Sequence, residues 1–190
     1  MIKLIYVDTE TTGLDQQNSA ITQLAGIIRQ GDLTEKFNIT MRPHEGALIT
    51  EEALNVQGRT LEEINSFQHP KDALAQFINI LYKYVDKFDK FDKFFFLAYN
   101  AQFDSNMIRN LFLRFNDNYF GSWFWTPPID IMSLAASKLI QVRHKMPNFK
   151  LATVYKEMFG KDIENAHDAM ADIETAREIA TACIKEIMEA

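Results

Sequence analysis

Cysteine is almost missing from this chain: Cys183 stands alone among 190 residues. No intramolecular disulfide framework can form, and the seven residues before the first acid, Asp8, are too few for the apolar core of a secretory signal. The expectation is an intracellular, cytoplasmic protein. Long apolar runs are lacking too. The longest, Phe94 to Tyr99, has six residues, where a spanning helix needs about 20, so a membrane protein is not expected. Nor is there an excess of positive charge: 20 Lys and Arg stand against 26 Asp and Glu, for a net charge of −6. That balance disfavours a protein that coats nucleic acid by bulk charge, and leaves room for a nucleic-acid enzyme whose site is itself acidic. No Gly-, Pro- or Ser-rich stretch divides the chain. With 47% hydrophobic and 24% charged residues it has an ordinary globular composition, and residues 1–190 are expected to form one domain.

What is present is patterned. From Ile2 to Glu10 the residues alternate with apolar groups on both sides, as in a central strand covered on both faces. Ile21 to Arg29 and Leu33 to Arg42 read as two more strands around the turn Gln30-Gly31-Asp32, giving three antiparallel strands. Ala73, Leu74, Phe77, Ile78, Leu81 and Val85 then recur at helical spacing behind Pro70. Three Asp-Lys-Phe triplets starting at Asp86, Asp89 and Asp92 form a local repeat, expected to be a helix end and a connection, with a partner-binding role as the alternative. Phe94 to Tyr99 reads as a buried fourth strand and Ile129-Asp130-Ile131 as a short fifth. Helices are expected over Ala101–Phe115, Met132–Ile140 and Lys150–Met158. A last helix buries Ile173, Ala176, Ile179, Ala180, Cys183, Ile184 and Ile187. Strands first, then alternating helices and strands, give an α/β fold with a mixed sheet.

Three groups of polar residues interrupt these elements. Asp8 and Glu10, two apart on a strand, point the same way. Such a pair is either solvated at a strand end or neutralised by a hard divalent cation with oxygen ligands. Asn100 and Asp104 follow the buried strand, where Asn100 is placed to cap a helix and Asp104 lies in its first turn, favoured there by the helix dipole alone. His167, Asp168 and Asp172 open the last helix. Asp168 reads as its cap, and His167 meets Asp172 only if it precedes the regular turns.

Together, Asp8-Thr9-Glu10-Thr11-Thr12-Gly13, Asn100-x-x-Phe103-Asp104 and His167-x-Ala169-x-x-Asp172, in this order on these elements, resemble the DEDDh branch of the ribonuclease H-like 3′–5′ exonucleases. That group includes the proofreading exonucleases of bacterial replicative polymerases and ribonuclease T. The resemblance runs from about Leu4 to Ala180, and implies a five-stranded mixed sheet flanked by helices, its first three strands antiparallel. It further implies two Mg²⁺ or Mn²⁺ ions held by Asp8, Glu10, Asp104 and Asp172, with His167 as general base. Water would then release nucleoside 5′-monophosphates from a free 3′ end. Thr11, Thr12, Gly13, Asn100 and Phe103 would contact the substrate, although core packing explains Phe103 equally well.

Two departures are visible. Tyr99 stands where the family often has histidine, and no tail of the polymerase-tethering kind follows the last helix before Ala190. Thr9 and Thr11-Thr12-Gly13 look more like the DNA-acting members, so DNA is favoured over RNA as partner. The alternatives are an RNA-processing or oligoribonuclease-like enzyme and a catalytically silent binding module. Ile131 to Lys156 carries five Lys and Arg and no acid. Arg143, His144 and Lys145 within it are candidates for gripping phosphates, against a solvated surface. Trp123 and Trp125 stack bases or a partner in one reading and are core aromatics in the other. Cys183 is read as packing.

Overall fold

The computed structural model describes residues 1–163 and 169–184. At its centre β1 (Lys3–Thr11), β2 (Ile21–Gln30), β3 (Leu33–Thr40), β4 (Phe95–Ala98) and β5 (Ile129–Asp130) form one sheet in the order β3-β2-β1-β4-β5. The first three strands pair antiparallel, and β4 and β5 join in parallel. This is the mixed α/β sheet that the alternation predicts. β1 takes the middle because both its faces are apolar: Ile5 and Val7 enter one core, Leu4 and Tyr6 the other.

Among the described residues eight α-helices accompany the sheet: α1 (Glu51–Gln57), α2 (Leu61–Asn65), α3 (Pro70–Tyr82), α4 (Ala101–Arg114), α5 (Phe120–Trp123), α6 (Ile131–Lys138), α7 (Leu151–Phe159) and α8 (Ala169–Cys183). On the first face α3 and α4 enclose an aromatic core that includes Phe77, Phe94, Phe96, Phe112, Trp123 and Phe124. On the second, α6, α7 and α8 cover Leu4, Tyr6, Ile27 and Leu97. Among the described residues no helix is long and apolar enough to cross a membrane.

The boundaries differ from the sequence expectation where hydrogen bonds leave the regular ladder. β3 ends at Thr40: the Met41 N–H still keeps the register, to Thr22 O, but the Arg42 N–H turns away to Gln68 O. α3 stops at Tyr82, yet Val85 is still buried, carried inward by a turn in which its N–H donates to Leu81 O. The Asp-Lys-Phe repeat is two successive tight turns: the Asp89 N–H donates to Asp86 O and the Asp92 N–H to Asp89 O. Trp123 is buried and so is core, while Trp125 is half-buried beside Phe95. In α8, Ile173, Ala176, Ile179 and Ala180 are buried and Cys183 packs half-buried against them; Ile187 lies outside the described residues.

Candidate active site

The site lies at the C-terminal end of β1. Asp8 and Glu10 share the parity of Leu4 and Tyr6, so they face the side covered by α8, and both are half-buried. Asp172 reaches the same end from the first turn of α8, which packs on β1 and β2. Asp104 comes from the other face. The parallel register pairs Tyr6 with Leu97, which sets Asp8 level with the start of the connection into α4, and Asp104 occupies the first turn of that helix. Asp104 is only 3% exposed, and its Oδ1 accepts two hydrogen bonds from Thr9, at 3.0 Å from the backbone N–H and 2.8 Å from the hydroxyl. The residue between the two strand carboxylates thus anchors the third.

The electrostatics follow from this crowding. The Asp8 carboxyl is pushed well above the usual carboxylate range, first by burial and then by Asp104, Glu10 and Asp172. Asp104 is raised to about 7 by burial, with Glu10 adding to the rise and the Thr9 hydrogen bonds opposing it. Four acids therefore converge in charge on one strand end. An all-oxygen anionic set of this kind fits hard divalent cations, although among the described residues no three such side chains already close into a cage. His167 and Asp168 lie outside the described residues.

Asp130, at the end of β5, frames the site from below. Its Oδ1 accepts from the N–H groups of Asn100 (3.0 Å), Ala101 (3.3 Å) and Met132 (3.2 Å), and its Oδ2 from the Ser133 hydroxyl (2.7 Å). It caps its own helix α6 and also the N-terminus of α4. Asn100, expected as that cap, makes no side-chain capping bond. It instead turns the chain in the left-handed region, φ 68°, a conformation that asparagine tolerates better than most residues.

Beside Glu10 a cavity of about 250 Å³ opens between the strand end and α1. Thr9, Glu10, Thr11, Gly13 and Phe103 line it, together with Leu14, Thr50, Glu52, Ala53, Val56 and Gln57. Phe103 packs on the first core, as one of its two expected readings has it, and also lines the cavity. Gly13 is required by close approach, since a Cβ there would lie 2.8 Å from Ser19 Oγ and 3.3 Å from the Thr50 methyl. Thr12 corrects the sequence reading. It is buried and its hydroxyl bonds inward, to Leu48 O at 2.6 Å and from the Ala20 N–H at 2.9 Å, so it braces the loop and does not face the cavity. A break in register between Glu10 and Thr11 leaves Thr22 outside the ladder. Its hydroxyl lies 2.8 Å from Gln57 Oε1, and Gln57 Nε2 donates to Thr11 O at 2.7 Å, hanging α1 on the strand end.

Arg143 and Lys145 fall in a 3₁₀ turn. The Arg143 guanidinium lies over the Phe149 ring, 4.7 Å from its centroid. The Tyr99 hydroxyl donates to Phe149 O at 2.7 Å. The tyrosine that departs from the family pattern thus ties the basic segment to the end of β4.

The comparisons agree with this fold. Residues 5–180 match the model of the RNase_T family, described as exonuclease, and the chain belongs to that family. Comparison with curated proteins returns no match. Among solved structures, E. coli exonuclease I in complex with a dT13 oligonucleotide superposes with a TM-score of 0.76 at 22% identity, over 98% of this chain and 41% of that one. A zinc-ion-bound form of the E. coli ExoI–ssDNA complex gives 0.74 at 21%, over 100% and 41%. A 3′-exonuclease that recognises the histone mRNA stem-loop gives 0.71 at 15%, over 97% and 82%. The fold is therefore that of the DEDD-type 3′–5′ exonucleases of the ribonuclease H-like superfamily. The chain spans about two fifths of the length of exonuclease I.

Proposed function

We propose that this chain is a single-domain, metal-dependent 3′–5′ exonuclease of the cytoplasm that removes nucleoside 5′-monophosphates from single-stranded DNA. The observation that carries the reading is the convergence of Asp8, Glu10, Asp104 and Asp172 on one strand end beside a cavity of about 250 Å³. Asp8, Glu10 and Asp172 would hold one Mg²⁺ or Mn²⁺, and Asp8 with Asp104 a second. When bound, such a pair clamps the attacking and leaving oxygens of an in-line displacement. His167 takes the proton from the attacking water, a role that a neutral imidazole can fill. Thr11, Gly13 and Phe103, with the α1 wall, seat the terminal nucleotide, and Glu10 contacts its 3′ hydroxyl. Asn100 shapes the turn that brings Asp104 in. Arg143 and Lys145 hold phosphates of the strand. Thr9 and the Thr11-Thr12-Gly13 run favour DNA.

The test is a matched set of 3′-labelled, 5′-labelled and 3′-blocked DNA and RNA oligomers, with product sizes followed in time. Mononucleotides should appear from unblocked 3′ ends, faster on DNA, and cease with EDTA. His167→Ala should lower the rate by roughly 10² to 10⁴ and flatten its fall at low pH. Endonucleolytic products or full activity in EDTA would sink the proposal, and a faster RNA ladder would transfer it to RNA.

A further inference from the structure

The Asp-Lys-Phe repeat is not used by the site just described. It sits at the opposite, N-terminal end of the parallel strands, where the Lys3 ammonium binds both Asp92 and the carbonyl of Tyr84. Its three residue types are sorted by the two successive turns. The aspartates bond to the backbone: Asp86 Oδ1 accepts from the Phe88 N–H at 3.0 Å, Asp89 Oδ1 from the Phe91 N–H at 2.8 Å, and Asp92 Oδ2 from the Asp86 N–H at 3.0 Å. The lysines lie over rings. Lys87 Nζ is 5.2 Å from the Tyr119 centroid and 5.3 Å from those of Tyr82 and Phe88, Lys90 Nζ is 4.8 Å from that of Phe91, and Lys93 Nζ is 5.3 Å from that of Trp125. None of the three lysines forms an ion pair among the described residues. Phe88 and Phe91 are 86% and 73% exposed, an exposure that neither core packing nor turn geometry requires.

We infer that this surface binds single-stranded nucleic acid, anchoring the body of the strand whose 3′ end lies in the active site. The inference rests on the proposed exonuclease reading for the identity of the strand. Ring and ammonium alternate at an interval of three residues, offering a stacking face and a phosphate contact in turn, the combination by which sequence-tolerant strand binding works. The two rings stand largely in solvent, which suits the flat face of a base. The aspartates are turned to the backbone and the lysines to the rings, so, although the three triplets carry no net charge, ammonium groups and not carboxylates border the stacking faces. From Lys3 to Glu10 the strand runs seven residues, roughly 23 Å at about 3.3 Å each. That is the length of at least about seven stacked nucleotides at about 3.4 Å.

The test separates this surface from the active site. Anisotropy of 5′-labelled oligothymidylates of about 20 and about 4 nucleotides is measured in EDTA, where nothing is cleaved, and hydrolysis of both is measured with Mg²⁺. Phe88→Ala with Phe91→Ala should weaken binding of the long strand at least about fivefold and raise its KM, with kcat and hydrolysis of the short strand unchanged. Lys87→Ala with Lys90→Ala should flatten the salt dependence of long-strand binding by about 1.4 in log–log slope. Circular dichroism of each variant should match the parent. Unchanged long-strand affinity and salt slope in these folded variants would overturn the inference and leave the surface to a protein partner. Patch-dependent binding by a parent that hydrolyses neither strand would instead refute the exonuclease reading alone.

Discussion

At the C-terminal end of β1, Asp8 and Asp104 are held together against their own repulsion, whereas beyond its N-terminal end Asp92 rests against the Lys3 ammonium. The same side chain is therefore raised at one end of a strand and lowered at the other. Burial alone pushes Asp92 upward, but Lys3, the Asp86 N–H and the chain's amino terminus together hold it below the usual range. The difference teaches how to tell a structural acid from a functional one. Asp92 finds its compensating charge within the fold, whereas the crowding of Asp8 and Asp104 is what the proposed metal ions would relieve.

The largest expected effect separates these two cases outright. Asp8→Asn should lower the cleavage rate by more than the roughly 100-fold that losing an outer-shell metal contact costs, yet stabilise the metal-free protein. The sign follows from the raised folded values of Asp8 and Asp104. The folded state binds more protons than the unfolded one, so this contribution to stability is full below the ordinary carboxylate value and lost as pH rises through the folded one, about 7 for Asp104. Melting in EDTA at about pH 8 should therefore show a higher Tm for Asp8→Asn, by roughly 2–4 °C per kcal/mol of relieved repulsion. Added Mn²⁺ should raise the Tm of the parent more than that of the variant. A variant less stable than the parent in EDTA would mean that the acids are not in conflict.

A smaller effect tests how the crowded end is kept in order. Thr9→Val keeps the shape and the backbone N–H but removes the hydroxyl that donates to Asp104. A hydrogen bond to a charged group is worth about 1.5–3 kcal/mol, so the rate should fall on the order of tenfold and Mn²⁺ affinity, read by calorimetry, should weaken. Thr9→Ser should restore both; failure of that rescue would reduce Thr9 to packing.

The smallest effect belongs to the paired end. Asp92→Ala should cost between the ~1 kcal/mol of an exposed pair and the ~3 kcal/mol of a buried pair broken from one side. Because the folded value of Asp92 is lowered, its contribution is present above the unfolded value and lost as pH falls through the folded one. Urea melts of parent and variant should therefore differ at neutral pH and converge in acid, with cleavage of short strands unaffected.

The sheet was legible because alternation and helical stripes record burial directly, and β1, β2, α3 and α8 are long enough to repeat their pattern. The carboxylates were legible because they interrupt that pattern. The α1 and α2 helices were not. They have seven and five residues, and only Ile64 among them is buried, so no stripe exists to be read. Their caps were nonetheless written in the chain. Thr60 and Glu63 have the spacing of a capping box, Thr50 caps Ala53, and Gly58 takes the left-handed position. α1 with its cap supplies five of the eleven residues that line the cavity, so one wall of it has no stripe in the sequence. Asp130 was hidden for another reason: it caps α4 from a different strand, a relation that only the fold creates.

The way α1 is attached has a consequence for how such an enzyme can diversify. The helix buries none of its residues and is fixed to the sheet through polar ties, from the Thr50 N–H to Thr12 O and from Gln57 to Thr11 O and the Thr22 hydroxyl. The cavity wall is thus an interchangeable part. Its cavity-lining residues Glu52, Ala53 and Val56 belong to neither core, so substitutions there should reshape the cavity while Thr50 and Gln57 keep the part seated. Selection, in a laboratory or a lineage, can reshape that cavity without retesting the protein's ability to fold.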